Sequence, residues 1–350
     1  MVPFLRRAIL ATPLGLGGAV AACLTINLPP SSADPTADGG VVGAPAVAGD
    51  GAARADGDPG QNADAPGPPK GAASVLASGQ QTPGGLVLDD ANVYWVNGAS
   101  GGNPGAIQRA AKAAGGAPAV FQPNQATPYA IAADATRVYW TAGPRLQVAD
   151  KAGGGAATLN GGGEQFYSLA LDGTAAYWTN GNTLYSVQKS GMGFVYLGGS
   201  LGAVGAVAVD GANIYYSDAT KAQILTLGKG GGTPLPIANG QRVVQAIRLD
   251  ATTVFWVTDG GTVMKLAKDP DGGAPIALAS GQSSPSALDI DSANVYWANA
   301  GDGTIMSVPK AGGTPVVLAS GQVEPRAIAV DSSGVYWTNY GNGRVMVIRR

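Results

Sequence analysis

The sequence predicts an all-β fold of seven four-stranded sheets closed into a ring, and three observations predict it. A unit of about 40 residues recurs seven times over residues 72–350. Each unit reads as four short strands, and the two ends of the repeated region complement each other. Together these are the marks of a seven-bladed β-propeller.

The repeat is an apolar run ending in Asp, then three residues, then a β-branched or small residue and an aromatic pair. The aspartates are Asp89, Asp134, Asp172, Asp210, Asp250, Asp291 and Asp331, at intervals of 45, 38, 38, 40, 41 and 40 residues. The aromatic pairs are Tyr94-Trp95, Tyr139-Trp140, Tyr177-Trp178, Tyr215-Tyr216, Phe255-Trp256, Tyr296-Trp297 and Tyr336-Trp337, which use all 6 tryptophans of the chain.

The sixth unit divides into strands a (287–290), b (295–298), c (304–308) and d (315–319), separated by Gly, Asn, Asp, Ser and Lys turns. In strand a, large aliphatic residues stand one and three places before the Asp and small ones two and four places before it. That alternation suits a sheet buried on both faces against neighbours that converge at an axis.

Closure is legible in the chain ends. Arg350 aligns with Lys310, so the seventh unit stops at its c–d turn without an outer strand. Residues 70–80 repeat 310–322 with two residues fewer in the turn, so the N-terminal segment is expected to add beside 343–348 as the missing strand and remove an open edge.

Ala327-Ile328-Ala329-Val330-Asp331, Val335-Tyr336-Trp337-Thr338-Asn339 and the Gly-Gly-Thr-Pro turn resemble the YWTD repeats of LDL-receptor class B modules, over residues 72–350. The resemblance implies a propeller that recognises proteins outside the cytoplasm. Two departures accompany it. That family is typically six-bladed, and the closing Asp of its motif is here Asn97, Asn180, Asn299 or Asn339, kept only at Asp218.

Residues 1–22 read as a signal peptide, with Arg6 and Arg7 before an apolar stretch too short, and too rich in Pro and Gly, to span a bilayer. Val20-Ala21-Ala22-Cys23 resembles the bacterial lipobox, which makes Cys23 the lipidated first mature residue; an ordinary signal peptide containing a cysteine is the competing reading. Cys23 is the only cysteine, so the chain forms no internal disulfide. Residues 23–70, rich in Ala, Pro, Gly and Asp, are expected to form a disordered tether leading to the propeller at 71–350. The expected location is the cell envelope, on a membrane through the lipid anchor, with a protein or glycan partner.

Composition narrows the function. Without His there is no Ser-His-Asp or Cys-His pair, and zinc loses its usual ligands. Taking Arg6 and Arg7 from the 21 basic residues leaves 19 against 23 acidic ones, a balance unsuited to nucleic acid. No cofactor is expected, Ca²⁺ in the 299–303 loop being the alternative. A binding or scaffold role is therefore read ahead of a metal-assisted hydrolase or lyase at the channel mouth.

The a–b and c–d turns fall on one rim, where the seven aspartates read as turn caps and Lys112, Lys151, Lys189, Lys229, Lys268, Lys310 and Arg350 as solvated hairpin tips. The other rim carries Ser-Gly-Gln-x-x-Pro loops, in which Gln80, Gln125, Gln241, Gln282 and Gln322 either bond across blade junctions or line a polar mouth. Candidate binding residues are those that break the symmetry. Arg248 and Asp289 replace small residues of strand a in adjacent blades, as an inter-blade salt bridge or a ligand site. Glu324, Arg326 and Tyr340 decorate the seventh blade, with Gln282 and Gln322 beside them; Glu164, Phe166 and Tyr167 add size on the same rim.

Overall fold

The computed structural model describes Pro69 and residues 71–113, 116–161, 166–198, 204–269 and 273–350. The leader, Cys23, the tether up to Lys70, and Glu164 lie outside the described residues.

The chain is all-β, with seven antiparallel four-stranded sheets arranged as a β-propeller and, among the described residues, one 3₁₀ turn at Tyr340–Asn342. Blade 6 consists of Pro285–Ile290, Asn294–Asn299, Thr304–Pro309 and Val316–Ala319, in the order a-b-c-d from the axis outward. Blade 7 consists of Pro325–Asp331, Gly334–Asn339, Arg344–Arg349 and, as its outer strand, Ser74–Ala77 from the other end of the repeat. Ser74 pairs with Val347 and Val75 with Met346, and the amide of Gln80 donates to the carbonyl of Gly343 at 2.9 Å. The ring is closed by backbone hydrogen bonds between its two ends.

The aromatic pair explains how the blades cohere. Successive side chains of a strand point to opposite faces, so Tyr and Trp at adjacent positions of strand b fill two different junctions. Trp297 packs back into blade 5 against Phe255, Val263 and Leu278. Tyr296 packs forward into blade 7 against Ile328, Val335 and Trp337. Both side chains are fully buried, and every tryptophan in the chain is buried in the same way. The core is thus seven inter-blade layers rather than one mass.

Strand a begins earlier than the alternation of large and small residues indicates. In blade 6 it starts at Pro285, and the register slips between Pro285 and Ala287 as a β-bulge, with equivalent slips in blades 1, 2, 4, 5 and 7. A bulge inserts an unpaired residue and re-aims its side chain. At Ser286 the re-aimed hydroxyl donates to the Pro325 carbonyl of the next blade at 2.7 Å.

Candidate functional site

The rim of the a–b turns carries a closed ring of ion pairs. Each aspartate divides its two oxygens. Oδ1 accepts the amides two and three residues on, as at Asp134, where Thr136 donates at 3.0 Å and Arg137 at 2.8 Å. Oδ2 accepts the cation of the following blade: Lys151 to Asp89 at 3.1 Å, Lys189 to Asp134 at 2.9 Å, Lys229 to Asp172 at 2.6 Å, Lys268 to Asp210 at 2.8 Å and Lys310 to Asp250 at 2.9 Å. Lys112 to Asp331 and Arg350 to Asp291 complete the circle across the chain ends. Tyr139, Tyr177 and Tyr296 donate their hydroxyls to the same carboxylates, and Lys112, Lys189, Lys229, Lys268 and Lys310 lie 5.2–5.9 Å from the centroids of strand-b aromatic rings.

The cations are therefore not solvated hairpin tips. Their long apolar stems cover an aromatic ring, and their heads meet a charge fixed by the neighbouring turn. The clue was present in the sequence: acids and bases of opposite sign recur with one period on one rim.

Burial alone would raise these carboxyl pKa values, but the lysine and turn amides outweigh it. Asp210 falls to about 2, with Lys268, Asn213 and Ala212 supplying the bonds, and Asp134 and Asp172 fall further. A depressed carboxyl contributes stability above its unfolded pKa, near 4, and loses it as pH falls through the folded value. The expected result is a loss of thermal stability concentrated between about pH 4 and pH 2, of about 1 kcal/mol per aspartate after solvent screening. Calorimetric scans over that range check it. Asp289 runs the other way, since desolvation raises its carboxyl, but it is one group against the ring.

On the opposite rim each glutamine is a junction piece. Gln282 accepts the indole N–H of Trp297 at 2.9 Å and the Asn299 amide at 3.0 Å, and donates to the Ser280 carbonyl at 3.1 Å. Its backbone N–H reaches the Gly261 carbonyl of the preceding blade at 2.9 Å. Gln322 does the same with Trp337, Asn339, Ser320 and Gly303. Gly261 and Gly303 have φ of 78° and 67°, and a Cβ on either would collide with the glutamine backbone.

This arrangement accounts for Asn97, Asn299 and Asn339 in place of the Asp of the YWTD motif. Only an amide can donate to the carbonyl oxygen that the indole already uses, and Asn97 and Gln80 repeat the pairing. Replacing Gln282 with Ala strands two buried donors, with an expected cost of about 2–3 kcal/mol in chemical denaturation.

The symmetry-breaking residues gather at and below this mouth. Arg248 Nε donates to Asp289 Oδ1 at 3.0 Å, and Asp289 Oδ2 accepts the Val330 amide at 2.8 Å, so both carboxylate oxygens are engaged across blades 5, 6 and 7. Arg326 lies over the Tyr340 ring, 4.6 Å from its centroid, with the Glu324 carboxylate 4.0 Å away. Glu324 has φ of 50°, but Thr82, Thr127 and Ser284 adopt the same conformation before their prolines at φ of 40–52°, so the kink belongs to the bulge. Asp302 accepts from Thr304 within its own loop, and among the described residues no three His, Cys, Asp or Glu side chains come together.

The position five residues before each aspartate, which lies at the bulge in every blade but the third, reads Gly84, Tyr129, Tyr167, Gly205, Gln245, Ser286 and Arg326 around the ring. This register position ranges from no side chain to an aromatic and a guanidinium. Tyr129 and Tyr167 are 46% and 45% exposed and meet edge to face at 6.0 Å. Tyr129 was not among the residues singled out by sequence; comparing the seven blades position by position finds it.

The sequence matches no protein-family model and no curated protein. Solved structures match in fold. The WD40 β-propeller domain of Doa1 is 13% identical with a TM-score of 0.67, covering 80% of this chain and 96% of that one. A virginiamycin B lyase from Staphylococcus aureus is 11% identical with a TM-score of 0.65, covering 80% and 99%. A chain of a nidogen/laminin complex is 20% identical with a TM-score of 0.51, covering 60% and 88%. At these identities the likeness is one of fold, and the fold they share with this chain is the β-propeller.

Proposed function

We propose that this chain is a non-catalytic binding propeller, exported and held at a membrane by a lipid on Cys23, which engages a protein or glycan of the cell envelope through the glutamine-bearing rim. The observation that carries the reading is the bulged ring. The repeated polar residues of both rims are consumed by junction bonds, whereas Tyr129, Tyr167 and Arg326, with Tyr340, present dissimilar chemistry on one rim. Rigid strands that offer a few exposed aromatic and Arg anchors are what recognition surfaces use. The nidogen/laminin complex and the YWTD-like repeats support protein recognition, and the tether composition supports display away from a membrane.

The enzyme reading has less beneath it. Asp289, the acidic replacement in the inner strands, is held by Arg248 and Val330.

The test is capture from an envelope extract on the immobilised protein, run in parallel with an Arg326→Ala/Tyr129→Ala double variant. A species recovered by the wild type and lost with the variant supports the rim; equal recovery by both rejects it. For the anchor, Cys23→Ser is expected to move the protein from the membrane to the soluble fraction. An unchanged distribution rejects lipidation.

A further inference from the structure

Each blade ends in an outer strand whose far side pairs with no strand among the described residues. Such an edge offers a row of backbone donors and acceptors to any other strand, and proline or charge is the usual protection. Blades 1 and 4 carry Pro123 and Pro236 inside the outer strand, and blades 5 and 6 carry Pro275 and Pro315 immediately before it. The exposed apolar residues of those edges, Val120, Leu235, Ile276, Val316 and Val317, thus stand close to a proline. In blade 7 the Arg349 guanidinium donates to the Ser74 hydroxyl of the outer strand at 3.2 Å. The outer strand of blade 2, Ala157–Gly161, has Leu159 as its one large apolar residue, and that is half-buried.

Blade 3, built on Ser168–Leu171, Ala175–Thr179, Leu184–Gln188 and Val195–Gly198, is the exception. Between Lys189 and Asp210 the sequence holds neither a proline nor a charge. Met192, Phe194, Val195 and Tyr196, leading into and along the outer strand, are 72%, 53%, 45% and 59% exposed. The strand is regular there: Tyr196 pairs with Tyr185 and Val195 with Ser186, the register shift falling at Leu184. Phe194 and Tyr196 lie on one face of the sheet, both against Tyr185, the first stacked at 5.5 Å and 24° and the second edge-on at 5.9 Å and 72°. Side chains already fixed by packing lose little freedom on association.

We propose that this edge pairs antiparallel with the same edge of a second copy of the chain, with Val195 on the two-fold axis. That register sets each Phe194 directly opposite the partner's Tyr196, so one strand supplies both halves of two aromatic cross-strand pairs. The open backbone groups of the two edges satisfy each other, and two uncharged apolar patches leave water together. The chain's own tether is a poor rival for the edge. Residues 29–70 hold Val41, Val42 and Val47 as their only large apolar residues, among glycines and prolines that make poor strands. With one unguarded edge per chain, the association closes at two. It rests on the outer edge of blade 3 and not on Tyr129, Tyr167 or Arg326, so it and the binding reading fail separately.

Sedimentation of the Cys23→Ser protein over a range of concentrations tests it. A strand edge is a small interface, so the expected result is monomer at low concentration and dimer above a dissociation constant of about 10–100 µM. Val195→Lys sets two ammonium groups face to face on the axis and is expected to weaken the dimer at least tenfold, with the melting temperature of the monomer kept. Arg326→Ala leaves the association unchanged. In the Cys23→Ser background, Val195→Cys is expected to cross-link to a covalent dimer with a short bismaleimide, and Val317→Cys, an equally exposed edge position behind Pro315, is not. Monomer up to about 1 mM, a Val195→Lys variant that dimerises like its parent, or equal cross-linking of the two cysteine variants overturns the proposal. Growth beyond the dimer replaces two-fold pairing with open stacking and overturns it as well. A monomer whose amides at 195–198 resist hydrogen exchange assigns the edge to the tether and not to a second copy.

Discussion

Deleting residues 71–79 is expected to abolish the folded monomer. The segment supplies Ser74–Ala77, the outer strand of blade 7, and Ala77 and Leu76 pack in the junction that also holds Val345, Val347, Tyr336 and Trp95. Without them the strand Arg344–Arg349 becomes an open edge with four consecutive apolar residues, Val345 to Ile348, the kind of edge that pairs with other chains. The loss is not confined to one blade. Blades 7 and 1 meet through that junction, and the Lys112–Asp331 ion pair joins the same two blades on the rim of the a–b turns. Analytical ultracentrifugation is expected to show aggregate in place of monomer. Deletion of an equal length from the tether is expected to change nothing.

Replacing Asp134 with Ala is expected to cost about 3–4 kcal/mol, the largest effect of any single rim substitution. Three losses coincide. Two turn amides lose their acceptor, Tyr139 loses the partner of its hydroxyl at 2.9 Å, and Lys189, with a side chain 10% exposed, keeps its charge with no counter-ion. Removing one partner of a shielded ion pair costs more than the pair is worth, because the remaining charge stays desolvated. Two comparisons separate the contributions. Asp134→Asn keeps an oxygen for the turn amides and loses the charge, so it falls between. Lys189→Met keeps the apolar stem over the Tyr139 ring and is expected to cost about 1 kcal/mol or less, since the carboxylate retains its turn bonds. For a domain of this size each kcal/mol moves the melting temperature by about 2–4 °C, so the three variants are resolvable by calorimetry.

How far the molecule could be read from its sequence follows from what repeats. The seven sheets, the burial of every Tyr-Trp pair and the closure at 70–80 were legible because strands are local and period-two patterning survives in each blade. Pairing between distant turns was less so. That Lys112 meets Asp331 depends on which blade a hairpin tip leans towards, and no sequence spacing encodes it. The bulge was missed for a related reason. Pro285-Ser286 reads as loop because proline and serine are turn residues, whereas the ring geometry recruits both into strand a, where the Ser286 hydroxyl donates to the Pro325 carbonyl of the next blade at 2.7 Å.

The candidate site divided along the same line. Arg248 and Asp289 were visible as misfits in a small-residue position, and the structure brings them together. Arg326, Glu324 and Tyr340 also come together, in one partly exposed group. Trp178 looks like its sisters in sequence, and only comparison with the bonds made by Gln282 and its counterparts shows that its buried Nε1 has no partner among the described residues.

The central claim is that the two ends of the repeat share one blade, and a covalent tie across that seam tests it most directly. Val75 and Met346 are cross-strand neighbours in the closing pair, as are Ala77 and Val345. With Cys23 replaced by Ser, the Val75→Cys/Met346→Cys and Ala77→Cys/Val345→Cys variants are each oxidised under native conditions and analysed by non-reducing electrophoresis and peptide mapping. The closed ring predicts an intramolecular disulfide in at least one of the two pairs, with the protein remaining monomeric and its melting temperature raised. Folded monomer in which both pairs stay reduced, or cross-links that join only separate chains, would contradict it.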